Sequence, residues 1–485
     1  MNDLLTSPIN FSVILPVVSL ALAGFVVLGV GIFMPKPKRT LLFGISLVGI
    51  LISSYYTVQL WDQNGSAFGG LVVADNFALT FNLIFLLGAG LCVLMSMNSH
   101  ERGYLLYTEF FAVLLFATVG MLLMAGSTHL LIMFLGLETL SISLYILAGL
   151  KRTEALSLES AFKYFLLGAF SSGFLLYGIA FIYGANGSFD LQKIAVNVAS
   201  VPLSDNLYMI LGGVLIVVGL GFKIAIAPFH MWAPDVYQGA PTPVTAFMAT
   251  GSKAAGFAAL LRVVFSATDG AVPDWTIILW VLAVLTMSVG NLAALGQTNI
   301  KRMLAYSSVA HAGYTLVGIV AWNELGASSV IFYLLSYTFM NIGAFAIISM
   351  LSTEDGELLE FNDFKGLANH RPLVAVMMAL FMFSLAGLPP TAGFVGKFYL
   401  FTAAVKAGHI PLVVIAVINS MISLYYYLSV VVVMFMKKSD SDIKGAVFLP
   451  TVSLTLALAM LGTLGLGGWP THFMQQFQDF VGRIM

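Results

Sequence analysis

Charge is the scarcest thing in this sequence. Of 485 residues, 9% are Asp, Glu, Lys or Arg and 59% are hydrophobic. Soluble domains carry about 25% charged residues, so a soluble globular chain is excluded. Cysteine is nearly absent: Cys92 stands alone inside an apolar run. One thiol makes neither a disulfide framework nor a four-cysteine iron–sulfur site, and Cys92 reads as a small packing residue. Gly-Lys-Ser/Thr phosphate loops, dinucleotide fingerprints and zinc or haem ligand sets are all missing. The chain holds no conventional redox centre of its own. A net charge of −1, with no basic stripe, gives no reason to expect nucleic acid. The first ten residues lack the basic start of a cleavable signal, and the first lysine, Lys36, follows the first apolar run. That order predicts an N-terminus on the outside.

What the sequence has is apolar runs long enough to cross a bilayer, each needing about 20 residues. They fall near 11–34, 41–61, 76–97, 104–125, 129–150, 156–183, 207–232, 240–265, 275–297, 301–321, 327–350, 373–405, 411–436 and 447–469. The runs are continuous rather than alternating, which excludes a barrel and predicts an all-α membrane protein of about fourteen helices.

Thirteen basic residues lie in every second connection: Lys36, Lys38, Arg39, Arg102, Lys151, Arg152, Lys301, Arg302, Lys365, Arg371, Lys437, Lys438 and Lys444. Only Lys193, Arg262, Lys406 and Arg483 lie on or near the other side. This bias puts the first set in the cytoplasm and both termini outside.

Four lysines remain, and all sit inside apolar runs: Lys163, Lys223, Lys253 and Lys397. Glu138 is the one acid near the middle of a run. A charge at the bilayer centre costs roughly 2.5–3.5 kcal/mol on insertion scales, so such groups are functional candidates. Burial disfavours the charged lysine and a nearby carboxylate favours it, so a Lys–Glu pair is a proton switch. The bland alternative is snorkelling or glue between helices. Lys163 follows Glu159 by four residues, which also permits an ordinary helical pair. His311, about ten residues into its run with Ser307 one turn earlier, is a relay candidate because histidine titrates near neutrality. His230 is as suited to orienting the backbone as to moving protons. Tyr425–Tyr427 read as helix packing or an aromatic belt rather than a quinone site, and the acidic loop Glu354–Asp363 as solvated or a partner contact.

Two runs are interrupted by proline. Pro228 and Pro234 fall in the seventh, and Pro389 and Pro390 in the twelfth. Each proline removes a donor and clashes with the preceding turn, so both helices should break there. The breaks are five segments apart. A five-helix repeat, 104–265 and 275–436, would put each break at its fourth member. Five is odd, so the repeats would be inverted, as in many transporters. Residues 1–103 would then supply three leading helices, and 447–485 a last helix and short tail.

At these residues the chain resembles a known family. The stretch Gly221–Val244, reading GFKIAIAPFHMWAPDVYQGAPTPV, looks like the signature of subunit N of bacterial NADH–quinone oxidoreductase (respiratory complex I). Gln297–Ser308 and Leu388–Lys397 match as well, and the likeness spans the whole chain. It implies fourteen helices, three leading and two inverted repeats of five. It implies a proton path through Glu138, Lys163, Lys223, Lys253 and Lys397. It also implies an assembly in which flavin, iron–sulfur clusters and quinone belong to partner subunits. Partners would be the other membrane-arm subunits and, through them, the peripheral redox arm, in a bacterial inner membrane. The alternative is a subunit of a multi-subunit cation/proton antiporter, or of a related hydrogenase or dehydrogenase membrane arm. A scaffold that moves no ions is the third reading, and the central lysines argue against it.

Overall fold

The computed structural model describes residues 10–34, 38–97, 108–200, 206–267, 272–352, 357–438 and 449–481. Lys36, Arg102, Lys444 and Arg483, used above for sidedness, lie outside them.

The spanning helices are α1 (Phe11–Phe33), α2 (Arg39–Gln59), α3 (Asn76–Ser96), α4 (Thr108–Ala125), α5 (Leu130–Ala148) and α6 (Ala155–Asn186). A short amphipathic helix, α7 (Leu191–Ser200), leads to α8 (Leu207–Ile224), and α9 (Ala233–Gly239) follows the first break. Then come α10 (Thr242–Phe265), α11 (Val272–Leu295), α12 (Ile300–Val320) and α13 (Glu324–Met350). The second break separates α14 (Pro372–Ala386) from α15 (Ala392–Lys406), before α16 (Ile410–Met436), α17 (Pro450–Gly468) and α18 (Pro470–Val481). Thirteen of these are long and apolar enough to cross a membrane. The pair α14/α15, each half too short alone, supplies a fourteenth crossing, in line with the expected number.

Position in the bundle follows composition. Helices α3, α10, α12 and α13 are buried along most of their length, and α10 throughout. Helices α1, α2, α6, α16 and α17 keep most of their apolar side chains outward, as a lipid-facing rim requires. Glycines let the inner helices approach closely. A Cβ on Gly120 of α4 would lie 2.6 Å from the Gly136 carbonyl oxygen of α5. One on Gly290 of α11 would lie 2.5 Å from the Ala310 nitrogen of α12.

Both predicted breaks are present. Helix α8 stops at Ile224 with Ala225 left-handed (φ 56°), and α14 stops at Ala386 with Gly387 left-handed (φ 90°). The freed backbone groups find partners, as membrane depth demands. Trp232 Nε1 donates to the Phe222 carbonyl at 3.0 Å, and the Ala227 amide donates to Thr286 Oγ1 at 3.0 Å. Pro234 is not a breaking residue: it occupies the first turn of α9, where a missing N–H costs nothing.

The connections sort into two ends. At one, Arg39 reaches the Ser96 carbonyl, while Lys151 and Lys301 share Glu357. At the other, a small hairpin, β1 (Gly65–Ala67) and β2 (Val72–Ala74), joins the α4–α5 turn, and Arg262 forms a fork with Asp75 at 2.6 Å to each oxygen. The amphipathic α18 lies at this second end, with Phe480 against Trp61. Lys151 and Lys301, from two of the basic connections, thus meet at the first end.

Candidate functional site

The site is built from single residues on many helices. Lys223 sits in the last turn of α8, where the carbonyl end of a helix favours a cation. Its ammonium donates to Ser141 Oγ at 2.9 Å and lies 5.9 Å from the centre of the Tyr164 ring. Ser141 is on α5, one turn from Glu138, whose charge reaches Lys223. Glu138 itself accepts a hydrogen bond from Ser172 of α6. The expected pair is therefore a Lys223–Ser141 contact with Glu138 alongside.

Lys163 goes elsewhere. Its side chain is 40% exposed, and the ammonium pairs with Glu159 and Asp235, each at 2.6 Å. Arg302 holds the other Asp235 oxygen at 2.7 Å. Asp235 belongs to α9, which lies between the spans. Burial alone would raise its carboxyl, but the Lys163 and Arg302 hydrogen bonds outweigh it and hold Asp235 below the usual carboxylate range. The ordinary helical pair with Glu159 is real, and Asp235 extends it to a second helix.

Lys253 follows a π-helical turn, Met248–Ser252, a widening often found at functional positions. Its ammonium donates to the Ser308 carbonyl at 2.8 Å and to Ser308 Oγ at 2.7 Å, on α12. His230 lies in the irregular stretch between Pro228 and α9. One residue away on α12, Ser307 is hydrogen-bonded to Tyr427 of α16. Tyr427 Oη lies 3.0 Å from His311 Nε2, and Tyr333 Oη lies 2.6 Å from His311 Nδ1. Both ring nitrogens of His311 therefore meet phenols.

Lys397, in α15, turns back on the second break. It donates to the carbonyls of Leu385 (3.2 Å) and Ala386 (3.0 Å) and to Ser420 Oγ (3.0 Å). Its ammonium lies 4.8 Å from the Tyr314 ring centre. The last carbonyls of α14, freed by Pro389 and Pro390, cradle the charge.

Glu138, Lys223, Lys253, His311 and Lys397 are buried or half-buried in the bundle, and each meets a hydroxyl: Ser172, Ser141, Ser308, Tyr427 and Ser420 respectively. Hydroxyls both donate and accept, so such partners can pass protons. From sequence, Tyr427 belongs to a run that reads as helix packing or an aromatic belt. Tyr425 fits that, being exposed, but Tyr427 is buried against His311. Among the described residues no cluster of His, Cys, Asp and Glu could hold a metal.

Comparison with known proteins points one way. The family model described as NADH:quinone oxidoreductase/Mrp antiporter, transmembrane, matches residues 127–423. NADH-quinone oxidoreductase subunit N of Trichlorobacter lovleyi is 50% identical over 476 residues, covering 98% of each chain. Subunit N 2 of Rhizobium meliloti is 43% identical, covering 94% of each. A chain of respiratory complex I from Thermus thermophilus superposes with a TM-score of 0.81 at 35% identity, covering 95% of this chain and 98% of that one. A chain of the Mrp complex from Dietzia shares the fold, with a TM-score of 0.84 at 21% identity over 98% of each chain.

Proposed function

The chain belongs to the NADH:quinone oxidoreductase/Mrp antiporter transmembrane family, and from that premise we propose how it moves protons. It is a proton-translocating membrane subunit of a complex I-type NADH:quinone oxidoreductase. The relay in this reading runs from Glu138 and Lys223 through Lys253 and His311 to Lys397. The observation that carries it is the unbroken use of hydroxyl partners: Ser141 at Lys223, Ser308 at Lys253, Tyr427 at His311 and Ser420 at Lys397. Lysines hydrogen-bonded to neutral hydroxyls and carbonyls can exchange their protons, because no carboxylate is bonded to them to lock the charge in place, and Glu138 alongside Lys223 biases its charge without holding it. Lys163 has two carboxylates, so it acts at a distance, through Asp235 and the Arg302 end of α12.

Two inverted repeats, 104–265 and 275–436, supported by matching breaks and matching glycine crossings, frame this path. Flavin, iron–sulfur clusters and quinone would belong to partner subunits of the membrane and peripheral arms. The basic end would face the cytoplasm of a bacterial inner membrane, and both termini the periplasm.

Purification of the native assembly in mild detergent tests the whole reading. Flavin, iron–sulfur signals and NADH-driven quinone reduction should co-purify. An assembly without redox centres would move the chain to the Mrp-type antiporters.

Within the assembly, Lys397→Ala should lower protons pumped per electron by about half while leaving the complex intact, since charge stabilisation is lost at one site only. A complex that fails to form would show Lys397 to be structural. Tyr427→Phe removes the hydroxyl shared by Ser307 and His311. Leaving buried groups unpaired costs about 1–3 kcal/mol, and coupled turnover should slow severalfold. Unchanged turnover would remove Tyr427 from the path.

A further inference from the structure

Glu357 belongs to the connection between α13 and α14, in a stretch that the sequence presents as a solvated acidic loop or a partner contact. The carboxylate is buried and holds three groups from separate parts of the chain. Lys151, between α5 and α6, reaches Oε1 at 3.2 Å, and Lys301, at the start of α12, reaches Oε2 at 2.5 Å. Thr242 Oγ1, at the first residue of α10, donates to Oε1 at 3.0 Å. Lys301 also donates to the Ala240 carbonyl at 3.0 Å, just before α10. Lys301 and Thr242 are almost wholly buried.

The two helices tied together here carry the central contact of the relay. From Thr242 to Lys253 is eleven residues of α10, about 16 Å at 1.5 Å per residue. From Lys301 to Ser308 is seven residues of α12, about 10 Å on the same measure. Both rods are pinned at one end by one carboxylate, and both project their relay groups inward from that pin. A sideways shift at the pin becomes a change in the separation of Lys253 and Ser308, because packed helices move as units.

We propose that Glu357 is a positioning residue for proton transfer: it clamps the starts of α10 and α12 and thereby sets the Lys253–Ser308 contact. Its two lysine partners make the clamp depend on charge as well as shape. Without the carboxylate, Lys301 loses its ion pair while Lys151 keeps Glu154 at 3.5 Å, and the two cations, no longer bridged, push the two halves of the clamp apart. This rests on the relay reading of Lys253 and Ser308.

The test uses the whole complex in proteoliposomes, comparing Glu357→Gln, Glu357→Asp and the double variant Glu357→Gln with Lys151→Gln. Protons pumped per electron and the solvent deuterium isotope effect on turnover are read in each. Glu357→Gln should assemble, pump about half as many protons per electron and show a larger isotope effect, since transfer across a looser contact is slower. Glu357→Asp, which keeps the charge, should recover most of the pumping. The double variant removes one of the two repelling cations but does not restore the clamp, so it should assemble at wild-type level and still pump poorly. Wild-type pumping and isotope effect in Glu357→Gln overturn the proposal. So does a double variant that pumps normally, because the defect would then be charge repulsion alone. If neither Gln variant assembles, Glu357 is a folding requirement and the proposal fails. The underlying relay reading fails separately, if Lys253→Ala pumps at the wild-type ratio.

Discussion

Replacing Lys223 by alanine is expected to reduce proton-coupled turnover of the assembled complex about a hundred-fold, the lower edge of what a positioned proton-transfer group contributes. Assembly should suffer far less. A charged side chain within a span costs roughly 2.5–3.5 kcal/mol, so its removal offsets the cavity it leaves. Lys223 has one hydrogen-bond partner, Ser141, which is a serine and is not left charged. Lys223→Arg separates the two roles that a lysine there could have. Arginine keeps a positive charge beside Glu138 but does not give up its proton in a protein. If the arginine variant pumps normally, Lys223 supplies field and not protons. If both variants assemble and both fail, Lys223 handles the proton. Wild-type stoichiometry in the alanine variant would remove it from the relay.

A larger effect on the molecule itself should follow from Gly290→Leu. Helices α11 and α12 cross where Gly290 faces Ala310 and Gly313 faces Met287. A Cβ on Gly290 would stand 2.5 Å from the Ala310 nitrogen, 2.9 Å from its Cα and 2.9 Å from the Tyr306 carbonyl oxygen. These are backbone atoms, with no rotamer to give way. Overpacking a core side chain costs about 1–3 kcal/mol, and here whole helices must part. The helix displaced is the one that carries Ser307, Ser308 and His311. The expected result is loss of most assembled complex from membranes, measured on native gels and by NADH:quinone activity. Gly290→Ala should give an intermediate level. Full assembly of the leucine variant would show that the crossing has slack.

Much of this was legible beforehand because the membrane simplifies the code. A span declares itself by the lack of charge over some twenty residues, and Lys223, Lys253 and Lys397 stand out against that background. The breaks were legible because proline acts locally on its own backbone. What escaped depends on contacts between distant parts of the chain. Tyr427 meets His311 across 116 positions, and Glu357 meets Lys151 across 206. An acid in a polar loop looks solvated until the fold buries it. Lys163 was ambiguous for the same reason: Glu159 is on its own helix, while Asp235 arrives from α9, 72 positions later. The hairpin at Gly65–Ala74 and the amphipathic α18 are too short or too polar to register against hydropathy set for spans.

The cradle around Lys397 has a bearing on how the protein can change over generations. Two of its three partners, at Leu385 and Ala386, are main-chain oxygens exposed by the end of α14. Every amino acid carries that oxygen. Drift at positions 385 and 386 can therefore alter bulk or packing without erasing the counter-charge. The one replaceable side-chain acceptor is Ser420. Selection on this site should accordingly fall on the prolines that end the helix and on Ser420, while the residues that hold the lysine most directly remain free to vary in side chain.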